Sequence, residues 1–250
     1  MPGVHVFGIG GLPEVESGAD LAAMTHAAAA AQDAPLADGD VVVVTSKVVS
    51  KAEGRAVELA DVEPSAFALD WAVRWDKDPR VVEVVLREAR RIVRQSGPVL
   101  ITETRHGFCC ANSGVDQSSS GAAGRVLVLP EDPDRSARAM RTRFTELGVD
   151  VAVIVSDTFG RPWREGQTDV AIGIAGMAPL RSYIGQHDPH GHEFRVQELC
   201  VADELAAAAE LVKGNTSRVP VAVVRGFTWE IDDTATIAPV IRDPASDLFR

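Results

Sequence analysis

The residue types best able to do chemistry lie in one run, Ser156-Asp-Thr-Phe-Gly-Arg-Pro-Trp-Arg-Glu-Gly-Gln-Thr-Asp169. Asp157, Glu165 and Asp169 bring three carboxylates, Arg161 and Arg164 two guanidinium groups, and Thr158, Gln167 and Thr168 further oxygens. Hard oxygen donors suit Mg²⁺ or Mn²⁺, ions commonly held by one or two carboxylates together with substrate phosphates. The guanidinium groups suit bidentate recognition of phosphate or carboxylate. The competing reading is a surface loop laced by i,i+3 and i,i+4 ion pairs. Either way, the run is expected as a polar loop at the exit of a buried strand, Val149 to Val155.

Three other segments compete for a role. Asn112-Ser-Gly114 is turn chemistry, and Asp116 follows it with Ser118, Ser119 and Ser120 in train. Two such loops can bring Asp116 and Asp157 to one metal, or Asp116 can serve only as a helix N-cap or Asx-turn residue. Lys47, Lys51 and Arg55 recur at four-residue spacing, which on a helix gives one basic face. That face is a polyphosphate contact or a solvated surface. His187, His190 and His192 put three imidazoles in six residues, but on a loop punctuated by Pro189 and Gly191. Metal-bound histidines normally sit on rigid elements with supporting partners, so a mobile substrate loop or plain exposure is the stronger reading against zinc.

Familiar nucleotide signatures are missing. No G-x-x-x-x-G-K-[ST] occurs, and Gly8-Ile-Gly-Gly11 lacks the third glycine of the dinucleotide fingerprint and runs into Pro13. Cys109, Cys110 and Cys200 have no Cys-x-x-Cys spacing, so they are expected to pack as small hydrophobes in a reducing cytoplasm. The 250 residues are 46% hydrophobic and 24% charged, with net charge −11. That balance suits a globular chain with a sizeable core and argues against nucleic acid or an anionic membrane surface as partner. No stretch approaches the ~20 apolar residues of a membrane span.

The elements that must position these groups alternate between helix and strand, which is α/β or α+β territory. Asp40-Val-Val-Val-Val44 reads as a strand buried on both faces, with Thr45-Ser-Lys47 leaving its end. Helices are expected over Asp20 to Gln32 (N-cap Ser17), from Asp78-Pro79 through Val93, over Pro133 to Leu147, and over Leu199 to Lys213. Further strands are expected at Val4 to Phe7, Val99 to Thr102, Val126 to Leu129 and Val219 to Val224. Trp71 and Trp75, four apart, read as one helical face.

Taken in order, these segments resemble the coenzyme F420-0:γ-glutamyl ligase family. The resemblance is carried by Gly11-Leu-Pro-Glu14, Ser46-Lys47, Val49-Ser-Lys-Ala-Glu-Gly-Arg55, Asp78-Pro79 and Asn112-x-Gly-Val-Asp116. It continues with Leu129-Pro-Glu-Asp-Pro133, the Ser156 to Asp169 run, Ala171-Ile-Gly173, Val201-Ala-Asp-Glu204 and Val224-Arg-Gly226.

The resemblance implies a mixed α/β fold, neither Rossmann nor P-loop. It implies one catalytic unit over residues 1–250, with room for two subdomains and without the C-terminal reductase-like domain of some bacterial relatives. The implied activity is a GTP-dependent ligase joining the amine of L-glutamate to a carboxylate of F420-0 through an acyl phosphate, F420-1 being a second candidate acceptor. Two divalent ions (Mn²⁺ or Mg²⁺), a monovalent cation such as K⁺ and a homodimer belong to the same pattern. By motif, Asp116, Asp157 and Thr158 would be metal ligands. Gly10, Gly11, Leu12, Pro13, Thr45, Ser46, Lys51 and the turn at Gly214 would contact GTP. Asp116, Asp157, Arg161 and Arg164 would form the catalytic set. Two positions depart from the pattern: Ser119 stands where the family commonly has asparagine near the nucleotide, and Asn215 where a longer Glu or Gln is expected as a metal ligand. They keep open the same mechanism on another acid–amine pair, and a non-catalytic metal- and nucleotide-binding relative.

Overall fold

The structure is a computed structural model that describes residues 3–117 and 124–247. In chain order the elements begin with β1 (His5–Ile9), α1 (Leu21–Ala31), β2 (Val41–Thr45), α2 (Ser46–Ala52) and β3 (Ala56–Glu58). Then come α3 (Ala66–Trp75), α4 (Pro79–Glu88), β4 (Ala89–Ser96), β5 (Val99–Thr104), β6 (Cys109–Ala111) and β7 (Arg125–Leu127). They continue with α5 (Pro133–Glu146), β8 (Ala152–Arg161), β9 (Arg164–Met177), β10 (Leu180–Ser182), β11 (Glu198–Cys200), α6 (Val201–Lys213), β12 (Val221–Arg225) and β13 (Ile231–Asp232). The interleaving expected of a mixed α/β chain is present.

The main sheet runs β1-β12-β2-β8-β9-β13. Its β2 and β8 are parallel, and their neighbours β12 and β9 pair with them antiparallel. The valine run of β2 is no more than 1% exposed at any residue, so both faces are covered, as its unbroken apolar sequence requires. α5 packs on β8 and β9 with α1 against it, while α6 lies across β9, β1 and β12. Gly173 permits the first of these contacts: a Cβ there would meet the backbone of Pro133 at 2.4 Å. A second layer is formed by the β4-β5-β6 sheet, the β3-β7 pair, α3 and α4, with smaller apolar clusters of their own.

Several helix ends are written in the sequence. Asp78 and Asp132 each precede a proline at the first helical position and accept a backbone N–H of the first turn. Elsewhere local pattern and structure part. α1 is capped by Asp20, which accepts from the Ala23 N–H, and not by Ser17. The helix opened by Asp78 stops at Glu88, and Ala89 to Ser96 form a strand. The apolar spacing of Ala89, Ile92 and Val93 suits a helix. The Gly97-Pro98 reversal, with β-branched Ile92 and Val93, instead favours pairing with β5. Trp71 and Trp75 do share a face of α3, ring centroids 6.1 Å apart. Of the cysteines, Cys110 is buried, Cys200 half-buried and Cys109 exposed, so packing as a small hydrophobe fails for Cys109.

Candidate functional site

The parallel pair β2/β8 sets the site. Thr45 and Ser156 are in register at its carboxyl end, so Thr45-Ser46-Lys47 and Ser156-Asp157-Thr158 leave the sheet side by side. In α/β sheets the crevice beyond the carboxyl ends of strands is where ligands collect. The expected loop after β8 is not a loop: residues 156–169 continue as the two arms of a β8–β9 hairpin, turning between Arg161 and Arg164. Opposite, Val155 pairs with Gly173 but Ser156 with Ala171, so Ile172 is an extra residue that bends the hairpin at the point where polar residues begin.

Side chains alternate along the hairpin, and the two faces carry different chemistry. On one face, Asp169 lies across from Thr158. The Thr158 hydroxyl donates to Asp169 Oδ1 at 2.7 Å, and the Ser156 hydroxyl donates to Oδ2 at 2.8 Å. Lys213, the last residue of α6, donates from Nζ to Asp169 Oδ2 at 2.6 Å and to Ser156 Oγ at 2.7 Å. Lys213 and Asp169 are each about 3% exposed in their side chains, a buried ion pair with hydrogen bonds satisfied on both members. Burial and the nearby charge of Asp169 raise the carboxyl of Glu210, one turn earlier on α6, above its ordinary range.

On the other face, Asp157 accepts a hydrogen bond from Ser46 Oγ at 2.8 Å. Burial pushes its carboxyl up to about 6, against the pull of Ser46 and of the Lys47 charge. The same carboxylate, with burial first, pushes the Cys110 thiol to about 12, leaving it an inert packing group. Lys47 also reaches Asp116, Nζ to Oδ2 3.1 Å. Asp116 is fixed by backbone hydrogen bonds to and from Leu127. The turn before it runs through three successive left-handed residues, Asn112, Ser113 and Gly114. Ser113 holds that turn, its N–H donating to Thr102 Oγ1 and its hydroxyl to the Val85 carbonyl. Strain of this kind persists only where surrounding structure fixes it, and here it delivers Asp116 toward Lys47.

A cavity of about 520 Å³ opens beside this network. Leu12, Pro13, Thr45, Lys51, Thr158, Gly214 and Asn215, all expected site residues, line it, and so do Lys47 and Lys213. Ser46 is buried behind it on Asp157. Gly10 and Gly11 precede the lining segment without lining it; Gly10 N–H donates to the Gln32 side chain at 3.1 Å. Arg161 and Arg164 sit at the exposed hairpin tip, outside the cavity lining, with Arg161 donating to the Glu165 carbonyl. Ser119 lies outside the described residues. The basic series splits: Lys47 and Lys51 share α2, Lys51 pairing with Glu14, whereas Arg55 lies past the helix and pairs with Glu88 and Glu131. His187, His190 and His192 are all exposed on a turn organised by Asp188, which accepts from the backbone of His190 and His192.

Sequence reasoning passed over Lys213 and Glu210, and counted Asp169 only among the carboxylates of the Ser156 to Asp169 run. A lysine in a last helical turn is ordinary dipole chemistry, and only α6 packing across β9 brings it to Asp169.

Among the described residues no three His, Cys, Asp or Glu side chains converge to hold a metal ion by themselves. The hard oxygen donors are the carboxylates of Asp116 and Asp157, which are not among the cavity-lining residues, and the Thr158 hydroxyl and Asn215 amide, which are; the set needs phosphate oxygens or water to complete a shell. That is how Mg²⁺ is usually held, and the set fits such an ion.

Comparison with known proteins places the chain in one family. The model of the F420-0:γ-glutamyl ligase family matches residues 10–226, and the chain belongs to that family. Among curated proteins, the coenzyme F420:L-glutamate ligase of Methanopyrus kandleri is 47% identical over 242 residues, covering 95% of this chain and 94% of its own. The proteins of the same name from Methanothermobacter thermautotrophicus and Halobacterium salinarum are 41% and 44% identical. Coverage is 99% of both chains for the first, and 90% of this chain and 88% of its own for the second. The expectation of an enzyme of the ligase class, drawn from the ordered motifs, is borne out. No helix among the described residues is long and apolar enough to cross a membrane.

Proposed function

We propose that the chain is a GTP-dependent ligase that forms an amide between the amine of L-glutamate and a carboxylate of F420-0, with γ-linked addition to F420-1 as an extension. The carrying observation is the cavity at the carboxyl ends of β2 and β8. There Lys47, Lys51 and Lys213 stand beside Thr158 and Asn215, with Asp157 and Asp116 held by Ser46 and Lys47. Cationic side chains around hard oxygen donors are what a nucleoside triphosphate and its divalent ions require.

A carboxylate acylates poorly. Its oxygen therefore first attacks the γ-phosphorus, the bond to the bridging oxygen breaks, and GDP leaves an acyl phosphate. The glutamate nitrogen, as the free amine, then attacks the acyl carbon, phosphate leaves with the C–O electron pair, and the nitrogen's proton passes to the departing phosphate. Divalent ions held by Asp116, Asp157, Thr158 and Asn215 would supply charge neutralisation on the phosphoryl oxygens. Lys47 and Lys51 add positive charge beside them, and no protein nucleophile is required. Arg161 and Arg164, at the hairpin tip, are free to meet anionic groups of an acceptor outside the cavity. Family resemblance carries the homodimer and K⁺ into the same proposal. Cysteines without the spacing of a disulfide framework support a cytoplasmic setting.

The test incubates the protein with GTP, Mn²⁺, L-glutamate and F420-0 and reads product mass together with phosphate release. A gain of one glutamate supports the proposal. Phosphate release only with other acid–amine pairs would replace the substrates and keep the mechanism. Nucleotide binding without turnover on any pair would leave a non-catalytic relative.

A further inference from the structure

The buried Asp169 stands one contact away from the cavity, touching it through Thr158 and Lys213, both of which line it. Its two oxygens have fixed company. Oδ2 receives the Lys213 ammonium and the Ser156 hydroxyl, and Oδ1 receives the Thr158 hydroxyl. An ionised carboxylate is acceptor-only, so Thr158 must give its single proton to Asp169. The lone pairs of Thr158 Oγ1 then remain for whatever occupies the cavity that Thr158 lines. Lys213 enforces this arrangement, because an ammonium is donor-only and keeps a charged acceptor in place beside it.

We infer that Asp169 and Lys213 are positioning residues that lock the Thr158 hydroxyl as an acceptor, so that its oxygen faces a divalent cation. The inference rests on the metal-dependent reading proposed above and adds to it the polarity of one ligand. A hydroxyl free to rotate would spend part of its time aiming its proton at the cation. A hydroxyl forced to accept from a neighbour would aim it there always.

Asp169→Asn creates that second case. Lys213 still demands an acceptor, so the amide oxygen turns to Lys213 and the amide NH₂ faces Thr158. Thr158 must now accept, and its proton enters the cavity. Adding Lys213→Met releases the amide to flip, returns an oxygen to Thr158 and restores the original polarity. Rescue by removal of a cationic partner is not expected of a pair that serves only to hold α6 on β9.

The experiment measures Mn²⁺ alone, by electron paramagnetic resonance titration, on wild type, Asp169→Asn, Lys213→Met and the double variant, with thermal unfolding of each alongside. The expected result is at least a tenfold loss of Mn²⁺ affinity in Asp169→Asn and a return to within about threefold of Lys213→Met in Asp169→Asn/Lys213→Met. Lys213→Met alone serves as the baseline for the double variant, since it removes the same positive charge from the cavity lining. Thr158→Val should lose as much as Asp169→Asn while keeping the ion pair and the fold, so the Thr158 contribution is read even where Asp169→Asn is unstable. Equal Mn²⁺ affinity in wild type and Asp169→Asn, or a double variant no better than Asp169→Asn, overturns the polarity lock and leaves the metal reading standing. No Mn²⁺ binding by wild type removes both.

Discussion

Asp157 is held in the folded protein at a cost, and the cost has a pH signature. Its carboxyl titrates near 6 because burial disfavours the charged form more than Ser46 and Lys47 favour it, against an ordinary value of 3.8. A shift of that size corresponds to roughly 3 kcal/mol between the two protonation states. The folded value lies above the unfolded one, so the native state keeps the proton through this interval. The contribution to stability is complete below about pH 4 and is lost as pH rises through 6. Asp157→Asn keeps the size of the side chain and the acceptor for Ser46 but never ionises. Urea unfolding at pH 4.5 should show the variant close to wild type, and at pH 8 it should be more stable by up to about 3 kcal/mol. Mn²⁺ should narrow the gap at pH 8, since binding to the ionised wild-type carboxylate stabilises the fold by about 2.7 kcal/mol at a hundred times Kd. The variant should gain little from Mn²⁺ and should lose metal-dependent turnover. A stability difference that does not change with pH, or a variant less stable than wild type at pH 8, would refute the assignment of a strained buried carboxylate.

Other substitutions separate the site from its scaffold. Lys47→Met removes a positive charge that lowers the Asp157 carboxyl, so the acid limb of the pH–rate profile should move to higher pH, read as kcat/KM across pH 5 to 9. Gly173→Ala should cost about 2–3 kcal/mol in chemical unfolding, because its Cβ would overlap the Pro133 backbone and push α5 off β9. Arg225→Met strands the buried Asp40 carboxylate, which now accepts from Arg225 Nε at 2.8 Å and Nη2 at 2.7 Å. The expected loss is about 3 kcal/mol, the lower end for breaking a buried pair because Arg225 is partly open to water. Mn²⁺ affinity should not move, since Asp40 precedes the opposite end of β2 from Thr45.

The scaffold was legible where a single physical cause dominates. Val41 to Val44 could only be a strand covered on both faces, and the Asp-Pro starts of α4 and α5 need no tertiary information, because cap and proline act locally. The α4–β4 boundary was not legible, since Ala89, Ile92 and Val93 satisfy a helical stripe as well as they satisfy a strand. What decides is β5, which pairs with them across Gly97-Pro98, a contact that hydrophobic spacing along one segment does not encode.

The site divides in the same way. The run from Ser156 to Asp169 announces itself by composition, but read as a loop its carboxylates are interchangeable neighbours. Read as a hairpin they are not. Asp157 faces Ser46, Lys47 and Cys110 with its pKa raised, while Thr158 and Asp169 face Lys213 on the other side. Alternation along a strand therefore assigns adjacent residues to different tasks. Asp157 is a buried carboxylate that meets its cation only in the metal-dependent reading proposed above, and Asp169 is already neutralised by Lys213 and bonded to Thr158. That division explains why two acidic residues twelve positions apart need not be two metal ligands. It also makes Lys213, which looks in sequence like a routine end to α6, the donor that fixes which oxygen of Asp169 is left to Thr158.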